Sequence, residues 1–387
     1  MSARPPLRVL MAWELGGNLG HVAPLLAVAR ALRARGHQVV FALRDLSNAD
    51  LIARSGFAFL AAPEVRRRRP PLTYGSFAEM LAGEAFPSAK AAFVGALAWR
   101  SIFRAVRPHV LVADHAPTAL LAARGQGMRT VLCGVPFSVP PAGRPLPRFS
   151  KQARGAAERE AKLLARLNSV LAVLRGPALE TASALYRADA VAVKWLPELD
   201  FFGPRPRSHY AGPVLSDAGD AEPAWPQAKG PKLLVYLRPG SFLPGLLDAM
   251  KRCDASVVGY IPGADPSLNL SETPLKMSAL LPQCDALVCH GGNLSAAAVL
   301  AGKPLLLYPV YVEQRLTAER AVEVGVATAA GGKTGVESLC EKIDSLRPGA
   351  PLALAAAKVA RRQDSGLRNA VEAVVERIEG VREKAAA

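Results

Sequence analysis

Short apolar runs separated by amphipathic stretches set the pattern of the first third of the chain. LRVLMAW (7–13), HQVVFAL (37–43), AFLAAP (58–63), HVLVAD (109–114) and RTVLCGV (129–135) read as strands, brief and rich in Val and Leu. Between them, PLLAVARALRARG (24–36) carries apolar residues at i, i+3, i+4 spacing and stops at Gly36, the pattern of a helix. APTALLAARGQG (116–127) reads as a second helix. Apolar strands joined by helices predict a parallel sheet covered on both faces. Residues 136–150, rich in Pro, Gly and Arg, predict a loop, and helical stretches follow near 150–173 and 177–188. DAVAVKW (189–195) is strand-like.

The stretch 198–231 has many Pro and Gly and no period, which predicts an inter-domain linker. Alternation then resumes with strands KLLVYLR (232–238), ASVVGYI (255–261), DALVCHGG (285–292) and KPLLLYPV (303–310). The tail from Leu352 to Ala387 reads as mostly helical. With 387 residues the chain is too long for one ordinary core. The expectation is an α/β protein of two doubly wound domains facing across a cleft, cut at 1–205 and 206–355, with a helix over 356–387 returning to the first domain. In such sheets ligands bind beyond the carboxyl ends of the strands.

Composition changes this picture in three places. No apolar run approaches the roughly 20 residues of a membrane span, and the N-terminal run reads as a first strand rather than a signal peptide. Five cysteines without a C-x-x-C pair predict buried reduced thiols in a cytosolic protein and no metal site. Lys plus Arg is 48 against 32 Asp plus Glu, a formal charge of +16. That excess favours anionic partners, although a solvated arginine-rich surface accounts for it equally well. The dense run VRRRRP (65–70) reads as a solvated loop, or as peripheral contact with an anionic membrane at its inner face. Nucleic acid is not expected as a partner, because no nucleic-acid motif and little aromatic interleaving accompany the charge.

The candidate chemistry gathers in CHGGNLSAAAVLAGKPLLLYPVYVEQR (289–315). A strand ends at His290, Gly291 and Gly292 make the turn, and a helix starts near Asn293, Leu294 and Ser295. Free N–H groups and the dipole at such a helix start favour a phosphate. Ser295 offers a hydroxyl donor and His290 a ring donor. Glu313 and Gln314 follow the next strand, and a carboxylate beside an amide reads vicinal sugar hydroxyls well. Taken alone, each of these also fits a capped helix start. In the segment 72–103, Phe77, Met80, Leu81 and Phe86 fit either an acceptor pocket or the core.

The order His290-Gly291-Gly292-x-x-Ser295, Gly302-Lys303-Pro304, Pro309 and Glu313-Gln314 resembles the donor signature of the UDP-glycosyltransferase-like family, which has the GT-B fold of two Rossmann-like domains. The resemblance extends to GGNLGHVAPLLAVARALRARGHQVVF near the N-terminus. It implies an inverting, metal-independent glycosyltransferase. The first domain would bind the acceptor, a small molecule or a lipid-linked one, and the second a nucleotide-sugar donor, which serves as co-substrate with no further cofactor. His21 would be the general base, oriented by Asp114. The loop residues Gly17, Asn18 and Gly20 also resemble those that face the donor diphosphate in lipid-acceptor N-acetylglucosaminyltransferases. Gly240 and Ser241 resemble the family's strand-end pair at the donor phosphates. Two positions depart from the pattern. Ala298 stands where the family usually carries a ribose-binding Glu, and Leu275, after Pro274, is the nearest candidate for its base-stacking pair. A donor based on dTDP, which lacks the 2′-hydroxyl, suits the first departure. The alternative reading is a non-catalytic sugar-nucleotide or polysaccharide-binding protein of the same fold.

Overall fold

The structure, a computed structural model, describes residues 5–17, 19–47, 49–64, 74–217, 219–263 and 269–382. It contains two six-stranded sheets, and every strand pair is parallel. The first holds β1 (Arg8–Trp13), β2 (Gln38–Leu43), β3 (Ala58–Ala61), β4 (Val110–Asp114), β5 (Arg129–Gly134) and β6 (Ala190–Val193), in the order β3-β2-β1-β4-β5-β6. The second holds β7 (Lys232–Tyr236), β8 (Ser256–Tyr260), β9 (Leu270–Ser271), β10 (Ala286–Cys289), β11 (Leu305–Leu307) and β12 (Ala327–Ala329), in the order β12-β11-β10-β7-β8-β9. Both orders are the same doubly wound arrangement, run from opposite ends. The winding reverses between β1 and β4 in one sheet and between β7 and β10 in the other. Those reversal points open the crevice in which such folds bind ligands.

The predicted strands all form, trimmed at their ends. Two strands escaped the sequence pattern, β9 and β12, both at edges of the second sheet. At two and three residues they carry no readable period. The first helix runs from Leu19 to Ala34, so it starts before Pro24, which lies inside it. That earlier start puts His21 in the first turn. The second stretch expected as a helix, 177–188, forms only a 3-10 turn over Ala182–Tyr186. Thr181 ends its upstream extended chain by accepting a hydrogen bond from the Ala184 N–H.

By its contacts the chain divides into two units. One comprises Met1–Lys194, Phe202–Ala211 and Asn369–Ala387, the other Trp195–Phe201 and Gly212–Arg368. The stretch expected as a linker is thus shared between both units rather than spanning freely. The tail is three helices, not one: Pro351–Arg361, Ser365–Arg368 and Ala370–Gly380. The first packs on the helix Asn293–Leu300, and the last packs on the helix Leu19–Ala34 and on β6. Val374, Val375 and Ile378 join Val9, Met11 and Phe41 in the core of the first unit. Arg35 pairs with Glu372 and Glu379, and His37 Nε2 lies 2.9 Å from Glu379, which pins that last helix. The second core gathers Leu233, Val235, Val288 and Leu306 from its sheet around Leu246, Met250, Leu339 and Ile343.

Candidate functional site

His21 and Asp114 meet at the winding reversal of the first sheet. Asp114 ends β4, whose five residues are all buried, and His21 lies just past the loop that follows β1. His21 Nδ1 is 3.2 Å from Asp114 Oδ1, an ion-pair distance without the alignment of a full hydrogen bond. The imidazole stacks on Trp13, with ring centroids 5.2 Å apart and planes 18° from parallel. Trp13 is held in turn by its indole N–H, which donates to the Leu15 carbonyl at 2.7 Å. The facing carboxylate favours the proton on Nδ1 and leaves Nε2 as the basic nitrogen. Gly16 keeps that nitrogen clear: a Cβ there would lie 2.6 Å from Nε2, and its φ of +87° is the left-handed region that favours glycine. The side chain of His21 is 15% exposed, while its Nδ1 faces a buried acid.

Sequence reasoning missed a third group. Lys194, one residue past β6, places Nζ 2.9 Å from Asp114 Oδ2, and both side chains are almost fully buried. Burial pushes the Asp114 carboxyl up, but the Lys194 ammonium and then His21 pull harder and hold it well below the usual carboxylate range. Burial also pulls the Lys194 ammonium down, and Asp114 more than offsets it, so the lysine stays charged. The signal in the sequence was a lone lysine closing the apolar run AVAVK, because a buried ammonium requires an acid to face it. Glu14 is a second buried carboxyl at this edge. It accepts from the N–H groups of Thr118 at 2.7 Å and Ala119 at 2.9 Å, at the start of the helix Pro117–Ala123. Burial outweighs those bonds and raises its carboxyl to about 8.

The second reversal point is built differently. His290 Nδ1 lies 2.7 Å from the Tyr308 carbonyl and Nε2 accepts from the Arg238 N–H at 2.9 Å. The ring therefore ties the end of β10 to the ends of β11 and β7, with Phe242 edge-on to it at 6.0 Å. Burial lowers its proton affinity, in keeping with a neutral ring. Both ring nitrogens of His290 are thus engaged by the backbone. Ser295 lies in the first turn of the helix Asn293–Leu300. It is wholly buried, and its hydroxyl lies 3.4 Å from the Cys289 thiol. The Asn293 amide donates to the Val214 carbonyl at 3.0 Å, and the helix Asn293–Leu300 takes Gly292 as its N-cap.

Gly291 and Gly292 form the turn between β10 and the helix Asn293–Leu300. Gly291, at φ +101°, packs on Gln314, where a Cβ would lie 3.1 Å from the Gln314 carbonyl oxygen. The two halves of the motif therefore touch. A Cβ at Gly292 would meet nothing within 4 Å, so the backbone is open to an approaching anion. Gln314 Oε1 accepts from the N–H groups of Val310 at 2.8 Å and Tyr311 at 3.2 Å, which caps its own helix, Val312–Glu323. Glu313 lies beside it in the first turn.

Gly240 and Ser241 lie exposed past the end of β7. Leu275 is wholly buried. Ala298 is also wholly buried. Gly17 and Gly20 border the first site, and a Cβ on either would meet nothing within 4 Å. Asn18 and the basic run 65–70 lie outside the described residues. Phe77, Met80, Leu81 and Phe86 are buried, so of their two readings the core is the right one. Phe77 sits among Phe137, Phe149 and Tyr186, with ring centroids about 6 Å away. Cys133, Cys284 and Cys289 are buried, and all five cysteines are free. Among the described residues no cluster of His, Cys, Asp and Glu is placed to hold a metal ion, and no helix is long and apolar enough to cross a membrane.

This architecture recurs in solved glycosyltransferase structures over nearly the whole chain. The calicheamicin glycosyltransferase CalG4 matches with a TM-score of 0.67 at 18% identity, over 99% of this chain and 100% of that one. The spinosyn rhamnosyltransferase SpnG matches in its complex with spinosyn aglycone, with a TM-score of 0.62 at 16% identity over 98% and 100%. It matches again in its complex with thymidine diphosphate, with a TM-score of 0.61 at 16% identity over 95% and 98%. The fold is GT-B, with two Rossmann-like domains. No protein-family model matches the chain, and no curated protein matches it at a significant level.

Proposed function

We propose that this protein is an inverting glycosyltransferase that moves a sugar from a nucleoside diphosphate sugar, based on UDP or dTDP, to an acceptor hydroxyl. The observation that carries the proposal is the His21–Asp114 pair at the first winding reversal, with Nε2 clear of Gly16. In this reading His21 Nε2 takes the acceptor's hydroxyl proton as the oxygen attacks the anomeric carbon. The bond from that carbon to the diphosphate breaks with inversion, and the diphosphate leaves with the electron pair. The open N–H groups around Gly292 and Asn293 would meet the leaving charge, and Glu313 with the Gln314 NH2 group would hold the sugar. The turn at Gly240 and Ser241 would add backbone and hydroxyl donors. The missing carboxylate at Ala298 supports a 2′-deoxyribose donor over a ribose one. The SpnG structures solved with thymidine diphosphate and with spinosyn aglycone support a dTDP-type donor and a small-molecule acceptor.

The test combines binding and turnover. Thermal unfolding is followed with millimolar UDP, dTDP and GDP, and release of nucleotide from the matching sugar donors is followed with a panel of hydroxyl acceptors. The expected outcome is a rise in melting temperature with dTDP or UDP, and transfer lost by about 10²-fold or more in His21→Ala while the nucleotide still raises its melting temperature. Nucleotide binding without transfer under any acceptor, unchanged by His21→Ala, would leave the non-catalytic binding protein as the answer.

A further inference from the structure

We propose that Lys194 is a third, positioning member of the His21–Asp114 site: its ammonium holds the Asp114 carboxylate in place and offsets its charge, so that His21 is oriented by the acid without receiving the acid's full electrostatic pull. The inference rests on the reading of His21 as the base.

An acid that only orients a histidine needs one partner, and Asp114 has two. Its Oδ1 faces His21 Nδ1 at 3.2 Å, and its Oδ2 takes Lys194 Nζ at 2.9 Å. The Asp114 and Lys194 side chains are 1% and 2% exposed, so water does not share either charge. Lys194 reaches this place across the end of β5, which lies between β4 and β6 in the sheet. Its backbone is fixed there, because the Lys194 N–H donates to the Gly134 carbonyl at 2.8 Å. Gly134 also gives room on the His21 side of the acid, since a Cβ on it would lie 2.6 Å from the Ser138 Cβ and 3.1 Å from Asp114 Oδ1.

Charge counting gives the consequence. With neutral His21, the Asp114–Lys194 pair sums to zero, and the site becomes +1 when His21 takes a proton. Without Lys194 the same step would run from −1 to zero and would be easier. Lys194 therefore offsets the charge that Asp114 sets against His21, while the carboxylate still orients the ring. Other groups at this end do not replace it. The Cys133 thiol on β5 is pushed up to about 11 by burial and stays uncharged. Glu14 is turned to the Thr118 and Ala119 N–H groups, Arg44 donates to the Gly16 carbonyl at 2.8 Å, and Arg377 donates to the Ser208 and Tyr210 carbonyls.

The experiment is an NMR titration of the full chain labelled with 13C at the histidine ring, with the His21 signal assigned by its loss in His21→Asn. Lys194→Met is expected to raise the His21 midpoint by about 1 pH unit or more. Lys194→Arg, which keeps the charge, is expected to stay within about 0.5 unit of the wild type. A folded Lys194→Met protein whose midpoint does not move would overturn the proposal and reduce Lys194 to a packing role. Should Lys194→Met fail to fold, the pair Asp114→Asn with Lys194→Met removes both charges together. The proposal expects its His21 midpoint within about 0.5 unit of the wild type, whereas an unopposed Asp114 in the wild type would show as a fall of about 1 unit or more. Transfer by His21→Ala is read separately. A midpoint that shifts as expected in a protein whose transfer survives His21→Ala sinks the base assignment and leaves the charge coupling standing.

Discussion

The two winding reversals share one strand order and have opposite chemistry. At the end of β4 and just past β1 the first sheet gathers ionisable side chains: His21, Asp114, Lys194 and Glu14. At the ends of β7 and β10 the second sheet gathers backbone, with its histidine consumed by two bonds to the chain itself. The comparison teaches that one topology can be lined with ionisable side chains or with backbone groups, a contrast that suits the proposed roles of proton transfer and anion binding. A base must change its charge, so it needs neighbours that tune it and one free nitrogen. A diphosphate holder needs donors that do not move, and N–H groups locked in a turn serve that better than flexible side chains.

The contrast breaks most severely if Asp114 proves dispensable. Asp114→Ala leaves the Lys194 ammonium buried and unpaired, and urea unfolding is expected to show a loss of about 3–5 kcal/mol. A loss below about 1 kcal/mol would mean that water reaches Lys194 and the site is not closed.

Glu14 offers a pH test of the same edge. Its folded carboxyl lies at about 8 against an ordinary 4.5, so between those values the folded state holds a proton that the unfolded state releases. Stability is then greatest below 4.5 and falls as pH rises, by about 1.4 kcal/mol per pH unit in that window from this group alone. Glu14→Gln is expected to remove that slope when the two proteins' unfolding free energies are subtracted at each pH. Parallel curves would show that the Thr118 and Ala119 N–H groups keep Glu14 ionised.

The smallest expected effect belongs to the second edge. Ser295→Ala deletes a buried hydroxyl whose neighbour is a thiol, and is expected to change stability by under about 1 kcal/mol. Nucleotide affinity, read by calorimetry, is expected to stay within about threefold, the equivalent of about 0.6 kcal/mol. A tenfold loss of affinity would turn the serine toward the ligand and make the two edges more alike than their geometry states.

Much of this was legible in the chain. The strands of both sheets are runs of Val, Leu and Ala, and burial on both faces dictates that composition in any parallel sheet. His21, Asp114, Gly291, Gly292 and Gln314 stand out because loops at strand ends need neither a histidine nor paired glycines for packing. Strands β9 and β12 were not legible, since two or three residues cannot show a period. The tail's division into three helices was not legible either, because its Ala-rich sequence favours helix throughout and only packing decides which core each turn joins.

What the sequence determined by itself was the fold class, the longer strands and the stretches where chemistry would gather, because those follow from local pattern and burial. Only the tertiary structure decided what each polar side chain does there. His290 and Ser295 look like ligand donors in the motif, yet the fold turns both inward to a carbonyl, an N–H and a thiol. Lys194 looks like an ordinary strand-end lysine, yet the sheet carries it across β5 to an acid eighty residues earlier in the chain. Such pairings depend on strand order and on the direction of individual side chains, and no spacing along the chain encodes either.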